Sequence, residues 1–326
     1  MDFNNPFGIE AATNAPKAGK IYLANEGAVG NQFLSQALTQ FSVGWTSQNR
    51  VLEDILDMLC GSPVYVSKRF AFKKADDKKS FAAAENDEDV RAIAADFKRI
   101  TVPGTTVDAH TVSKGLTMRI DRDELNDDPE AEQKAVAHLR TILLRAEIIR
   151  AFTGLSTAAT NANKTWGTGD NKADADADVI DMLLTAAGAG GLIPNRVTFG
   201  PTAWQKRFLT LRTAGQNAGV AESALLTKEQ LAGLYGVNRV DVVNERFQSG
   251  TEKAPLITTN IVLAFTANGS GLKDDPSNIK RFVTKVAGAD FAVFREEHAA
   301  CVDVTVAHQS LIAVTSNLGI GKLTIS

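Results

Sequence analysis

The sequence predicts an α+β fold, and three observations carry that expectation. "VYVSKRFAFKK" alternates apolar and polar residues at period two from Val64, the pattern of a half-buried strand. "PEAEQKAVAHLRTILLRAEIIRAFTG" sets Ala135, Leu139, Ile142, Ala146 and Ile149 on one helical face, with Pro129 at its start and Gly154 at its end. Between Val179 and Thr266 helices alternate with short strands, the pattern of a compact sheet with helices packed on it.

Taken in order, residues 1 to about 45 are rich in Asn, Ala, Gly and Gln, with scattered anchors Ile21, Tyr22, Leu23, Phe33 and Leu38. They read as an extended arm that needs a partner surface. "SQNRVLEDILDML" follows as a helix, with Val51, Leu52, Ile55, Leu56 and Leu59 in one stripe, Ser47 as cap and Gly61-Ser62-Pro63 as stop. The period-two stretch then puts Val64, Val66, Phe70 and Phe72 on one face of a protruding ribbon with the polar tip "ADDKKS". A charged helical piece, "ENDEDVRAIAADFKR", and the strands "ITVPGTTVDAHTVS" and "LTMRID" complete a β excursion over residues 64 to 120. With few large apolar residues it cannot build its own core and must lie on something else.

The helix over 129–154 spans close to ~40 Å at the usual rise per residue. "STAATNANKTWGTGDNKADADAD" reads as a surface loop between two domains. The α/β run comprises "VIDMLLTAAGAG", "RVTFG", "TAWQKRFLTLR", "TKEQLAGLYG", "RVDVV" and "NIVLAFT". The end of the chain returns to half-buried antiparallel strands in "RFVTKVA", "FAVFREE", "CVDVTVAHQSLIAV" and "KLTIS".

The 326 residues, 44% of them hydrophobic, suffice for a sizeable core and about two domains. A net charge of -3, from 35 basic and 38 acidic residues, excludes an overall basic field for nucleic acid. The N-terminal stretch has no apolar signal region, no segment reaches the ~20 apolar residues of a membrane span, and synthesis and folding in the cytoplasm are expected. Cys60 and Cys301 are too far apart for a metal or redox motif and are expected to be buried free thiols.

Candidate chemistry is sparse. "DADAD", with Asp174, Asp176 and Asp178, starts like a calcium loop, but Val179 and Thr185 stand where the glycine and bidentate glutamate belong, so Asp178 is expected to cap the next helix. "RVTFGPTAWQKRFLTLRT" has the strand-turn-helix form that binds phosphate. It has one glycine, Gly200, followed by Pro201 without an N–H, and Lys206 lies a full turn inside the helix. The stretch therefore reads as a strand-to-helix corner with Val197, Phe199, Trp204 and Phe208 in the core, leaving Lys206, Arg207 and Arg212 as possible contacts to a neighbouring subunit. "GAGG" at 188–191 ends a helix, and "GIG" at 319–321 lies in strand-like sequence. His110, His138, His298 and His308 have no ligand spacing, and Glu296-Glu297-His298 reads as a charged turn. No catalytic residue, metal or cofactor is expected.

The basic residues of the ribbon, Lys68, Arg69, Lys73, Lys74, Lys78 and Lys79, flank Phe70 and Phe72. Stacking on nucleic acid would need exposed aromatics, whereas these two share a face that packs on protein, and Asp76 and Asp77 dilute the charge. Docking on an acidic neighbouring subunit is the preferred reading.

"GLTMRIDRDELNDDPEAEQKAVAHLRTILLRAEIIRAF", "TWGTGDNKADADADVIDMLL", "PNRVTFGPTAWQKRFL", "LTKEQLAGLYGVNRVDVVNERF" and "IVLAFTANGSGLKDDPSNIKRFVTKV" resemble, in this order, passages of the major capsid proteins of tailed double-stranded DNA phages, the HK97-like fold. The resemblance covers nearly the whole chain and rests on order and phrase shape. It implies an N-terminal arm and first helix at 1–62, an extended E-loop at 63–118, a peripheral P domain at 119–176 with its spine helix, an α/β axial A domain at 177–282, and a return to P-domain strands at 283–326. It further implies a virion capsid protein, assembled in the host cytoplasm as hexamers and pentamers around packaged double-stranded DNA. Its partners would be a portal, a decoration protein and, since little sequence precedes the arm, a separate scaffolding protein. Some members crosslink an E-loop lysine to a neighbour. An encapsulin-like bacterial nanocompartment shell is the alternative with the same fold, and an α/β nucleotide-dependent enzyme using the Gly200 turn is a third reading.

Overall fold

The computed structural model describes residues 32–44, 51–74, 90–91, 93, 96, 105–167, 174–213, 225–267 and 271–326. Ser47 and the tip "ADDKKS" past Lys74 lie outside these residues, as does most of "ENDEDVRAIAADFKR". The elements begin with β1 (Gln32–Leu34), α1 (Gln36–Gly44), α2 (Val51–Cys60), β2 (Val64–Tyr65), β3 (Arg69–Lys73), β4 (Thr106–His110) and β5 (Val112–Asp121). They continue with α3 (Arg122–Asp127), α4 (Ala131–Ala158), β6 (Thr160–Lys164), α5 (Ala175–Gly190), β7 (Arg196–Phe199), α6 (Pro201–Thr213) and α7 (Lys228–Tyr235). They end with β8 (Arg239–Val242), β9 (Arg246–Ser249), β10 (Glu252–Pro255), β11 (Ile261–Phe265), β12 (Ile279–Thr284), β13 (Ala292–Glu297), β14 (Cys301–Val314) and β15 (Gly321–Ile325).

The chain divides into two compact units, the first made of Met1–Arg50, Thr111–Leu144 and Val283–Ser310. Its sheet runs β5, β14, β13, β1, antiparallel throughout. Ten residues of β5 pair with Cys301–Ser310, and alternation sends Val302, Val304 and Val306 into the core. The first half of α4 buries Ala135, Val136, Leu139 and Leu143. Two contacts tie it to the sheet: Arg295 Nε donates to Glu132 at 2.8 Å, and the Arg140 guanidinium lies 5.0 Å from the Phe291 ring centre. The expected arm is in part a structured element of this unit, because β1 pairs with β13 and Thr39 Oγ1 accepts from the Val293 N–H at 3.1 Å. Cys301 is half-buried and Cys60 buried, so the expectation of two buried thiols holds for Cys60 alone.

Arg119 on β5 donates two hydrogen bonds of 2.8 Å to Asp303 on β14, and this guanidinium holds the Asp303 carboxyl below the usual carboxylate range. A depressed carboxyl pKa contributes stability above its unfolded value of 3.8 and loses it as pH falls through and below that value. Thermal melts between neutral pH and pH values below that range are therefore expected to fall less steeply for Asp303→Asn than for the wild type. Equal slopes would show that this pair does not couple to folding.

The second unit comprises Val51–His110, Arg145–Phe282 and Leu311–Ser326. Its five-stranded sheet has the order β6, β15, β11, β7, β8, with α5 and α6 packed on its centre and α7 against β8. Trp166, Val179, Met182, Val197, Phe199, Leu211, Leu231, Tyr235, Val262 and Leu323 fill one core. The core also takes in Trp204 and Phe208, partly buried, as the sequence predicted. β9 and β10 form an antiparallel hairpin that the sequence reading missed.

Several expectations are corrected here. The loop after the long helix carries an edge strand, β6, which pairs in parallel with β15, and its Trp166 is buried. β15, grouped in the sequence with the returning antiparallel strands, lies between β11 and β6. Gly154 does not end its helix, which runs on to Ala158; a Cβ there would meet Val314 Cγ2 at 3.3 Å, so the glycine serves close packing. Gly319 lies in a turn ahead of β15, with φ 74°, and a Cβ on Gly190 would come within 2.8 Å of its Cα. "GIG" thus joins a turn to a strand, and the end of α5 packs on it glycine against glycine.

Candidate functional site

The ribbon is built from β3 and β4, paired antiparallel with Phe70 opposite Ala109 and Phe72 opposite Val107. Alternation places Phe70 and Phe72 on one face, as the sequence predicted, and both rings meet Phe282 of β12, with centroids 4.6 Å and 5.3 Å away. Val64, Val66, Val107, Ala109, Leu311 and Ala313 complete this small cluster, in which Phe72 and Phe282 are buried. The aromatic face is therefore covered by the protein's own chain and is not a stacking platform for bases. Lys68, Arg69, Lys73 and Lys74 are all exposed, with Arg69 and Lys73 on the face opposite the rings. Lys78 and Lys79 lie outside the described residues.

The three aspartates of "DADAD" have three different structural roles. Asp174, not Asp178, caps α5, accepting from the N–H groups of Asp176 and Ala177. Asp178, one turn further in, accepts from Lys164 Nζ at 2.7 Å and from the Trp166 indole at 2.9 Å. Asp176 is buried and takes two bonds from Arg207, at 2.7 Å and 2.9 Å, and one from the Tyr235 hydroxyl at 2.6 Å. Burial opposes the charge on Arg207, but the bonds to Asp176 outweigh it and hold the guanidinium pKa above its usual value. Burial, reinforced by Asp176, pushes the Tyr235 hydroxyl well above its usual range. Arg207 is thus a core residue joining α5, α6 and α7 and cannot face a neighbouring subunit, whereas Lys206 is half-buried and Arg212 exposed.

The Gly200 corner is equally committed to the fold. A Cβ on Gly200 would lie 2.3 Å from the Thr259 carbonyl oxygen and 2.5 Å from that of Thr258. The Gly200 N–H is donated to Ile261 and the Ala203 N–H to Thr259. These two donors are turned to protein carbonyls and Pro201 between them has none, which leaves the corner poorly fitted to hold an anion.

His298 sits at the β13–β14 turn, 3.3 Å from Asp303 and 3.9 Å from Glu296 at Nε2. Burial pushes the Cys60 thiol up to about 12, so it is no thiolate nucleophile. A cleft of about 250 Å³ between α5, β6 and β15 is lined by Met182, Ala186, Leu318 and Leu323 beside the Lys164–Asp178 pair. Among the described residues no three His, Cys, Asp or Glu side chains converge as a metal site, and no helix is long and apolar enough to cross a membrane.

No protein-family model matches the sequence, and no curated protein matches it. The fold has clear relatives. A phage-related protein from Bordetella bronchiseptica RB50 aligns with a TM-score of 0.65 at 14% identity, over 90% of this chain and 97% of that one. A structure from Mycobacterium phage Bobi aligns with a TM-score of 0.51 at 10% identity, over 83% of this chain and 90% of that one. The capsid structure of cyanophage P-SCSP1u aligns at a TM-score of 0.49 and 10% identity, over 96% and 93% of the two chains. The chain has an α+β fold, which it shares with the Bordetella and mycobacterial phage structures.

Proposed function

We propose that this chain is the major capsid protein of a tailed double-stranded DNA phage, which self-assembles as hexamers and pentamers into an icosahedral shell around packaged DNA. The observation that carries this reading is a fold shared with a phage-related protein over 90% of this chain and 97% of that one. In this reading residues 1–62 are the arm and 63–118 the E-loop, while 119–176 and 283–326 give the peripheral domain. Residues 177–282 give the axial domain, its sheet completed by β6 and β15. The E-loop presents Lys68, Arg69, Lys73 and Lys74, with Lys78 and Lys79 toward its tip, to an acidic surface on a neighbouring copy, where charge complementarity sets register. Scaffold, portal and decoration proteins are partners of the shell, and DNA touches its inner face without sequence preference. The role requires no catalysis.

Negative-stain microscopy of the expressed chain, alone and with its scaffold, is the direct test. Uniform closed shells are expected, with nuclease-protected double-stranded DNA in native particles. A packaged enzyme in native particles would instead identify a nanocompartment, and a persistent monomer with scaffold present would overturn both. The triple charge reversal Lys68→Glu, Lys73→Glu, Lys74→Glu is expected to melt like the wild type and form no shells. Normal shells from it would remove the basic face from the assembly contact.

A further inference from the structure

A buried lysine lies next to the ribbon's root. Lys280, on β12 two residues before Phe282, is 2% exposed. Its ammonium donates to the Lys273 carbonyl at 2.7 Å and the Asp275 carbonyl at 2.8 Å, and pairs with Asp275 Oδ1 at 2.7 Å. Three donors thus meet three acceptors on one short loop, which satisfies a charge that would otherwise be costly to bury. The same loop carries Asp274, whose Oδ1 accepts the Lys73 backbone N–H at 3.0 Å. Lys73 is the last residue of β3, and its cross-strand partner is Thr106.

The loop is fixed from its other end as well. Ser277 Oγ donates to Asp275, and Thr315 Oγ1 donates to the Ser277 carbonyl at 2.6 Å. Asn278 accepts from the Thr266 N–H at 2.7 Å and donates to the Leu318 carbonyl at 2.6 Å. The loop is therefore a rigid strap, anchored on β12 and the chain after β14, that reaches the edge of β3.

We propose that this strap is a positioning device for the ribbon, with Lys280 as its anchor and Asp274 as its contact. The two attachments of the ribbon differ in kind. The packing of Phe70 and Phe72 on Phe282 is apolar and tolerates sliding and tilting, because burial has no preferred direction. The Asp274 bond to a backbone N–H is directional and fixes the pose of β3 over β12. Lys280 acts through the loop, never touching the ribbon's exposed basic face, so this role stands whether or not that face contacts a second copy.

Hydrogen exchange on the full-length chain tests it. Lys280→Met keeps the length and apolar packing of the stem and removes the three donors, while Asp274→Ala removes only the contact. Both are expected to speed exchange of the Lys73 amide by about tenfold or more, as for loss of a charge-assisted bond. Amides of β7, β11 and β15 are expected to keep wild-type protection. Asp274→Asn retains a side-chain oxygen acceptor and is expected to stay within a few-fold of wild type. Wild-type protection of Lys73 in both Lys280→Met and Asp274→Ala would overturn the proposal. So would a loss shared equally by β7 and β11, since that reports general destabilisation. If Lys280→Met fails to fold, Asp274→Ala, which leaves the buried lysine satisfied, decides alone.

Discussion

Arg207→Ala is expected to destabilise the second unit by about 3–5 kcal/mol, the cost of leaving one member of a buried ion pair without its partner. Asp176 would remain in the core with only the Tyr235 hydroxyl to stabilise its carboxylate. Asp176→Ala leaves the buried guanidinium in the same position and is expected to cost a similar amount. Urea unfolding followed by tryptophan fluorescence reads the effect well, because Trp204 lies 5.3 Å from the Arg207 guanidinium. The double variant Arg207→Met, Asp176→Leu should lose much less than the sum of the single changes, since apolar groups of similar volume can replace a buried pair at little net cost. Additive losses would show that each residue acts by packing alone. The pair holds three helices by their inward faces, so its loss should also weaken the docking of α7, which adds Leu231 and Tyr235 to the same core.

Gly200→Ala is expected to cost about 3 kcal/mol or more, at the upper end of the range for overpacking. The atoms in the way are the Thr258 and Thr259 carbonyl oxygens, at 2.5 Å and 2.3 Å from the added Cβ, and backbone cannot rotate aside as a long side chain can. Moving them would break the Ala203 N–H bond to Thr259 and strain the Gly200 bond to Ile261, which together join the start of α6 to the strand beside it. Denaturant midpoints for Gly200→Ala and for an exposed control, Gly233→Ala, provide the comparison, since a Cβ on Gly233 meets nothing within 4 Å. Equal midpoints would mean that the corner has more room than the structure shows.

Much of the fold was legible in the sequence because it is written in local periodicity. The stripe of α2, the alternation of Phe70 and Phe72 and the branched residues of β14 each need only a window of ten or so residues to be read. The face of α4 was misread past Leu139, since Ile142 is exposed and Leu143, Leu144, Ile148 and Phe152 are the residues it buries. The candidate site was legible to the same degree: the two rings share a face, and the charged residues beside them are exposed. That the partner of those rings is Phe282 could not be read, because it lies some 200 residues further along the chain and no local pattern names it. The strap was invisible for the same reason. Lys280 precedes the strand "RFVTKVA" that the sequence reading marked, and only the arrival of the Lys273 and Asp275 carbonyls makes its burial tolerable.

The sequence by itself determined the stripe of α2, the paired strands of the ribbon and the alternating helices and strands of the second unit's sheet, and with them that the fold is α+β. Tertiary structure decided which of the apparently equivalent residues matters and how. Asp174, Asp176 and Asp178 differ in sequence only by position, yet one caps a helix, one is held in the core by Arg207 and Tyr235, and one pins Lys164 and Trp166. Gly154 and Gly200 read as a helix stop and a turn, but at Gly200 the Thr258 and Thr259 backbone comes too close for a Cβ, and at Gly154 the Val314 side chain leaves only a tight fit for one. β6 read as loop because its polar residues carry no strand pattern, and it became a strand when β15 offered an unpaired edge from the far end of the chain. The physical reason is common to all of them: secondary structure follows from the period of burial along the chain, whereas the role of a polar group or a glycine depends on which distant atoms pack against it.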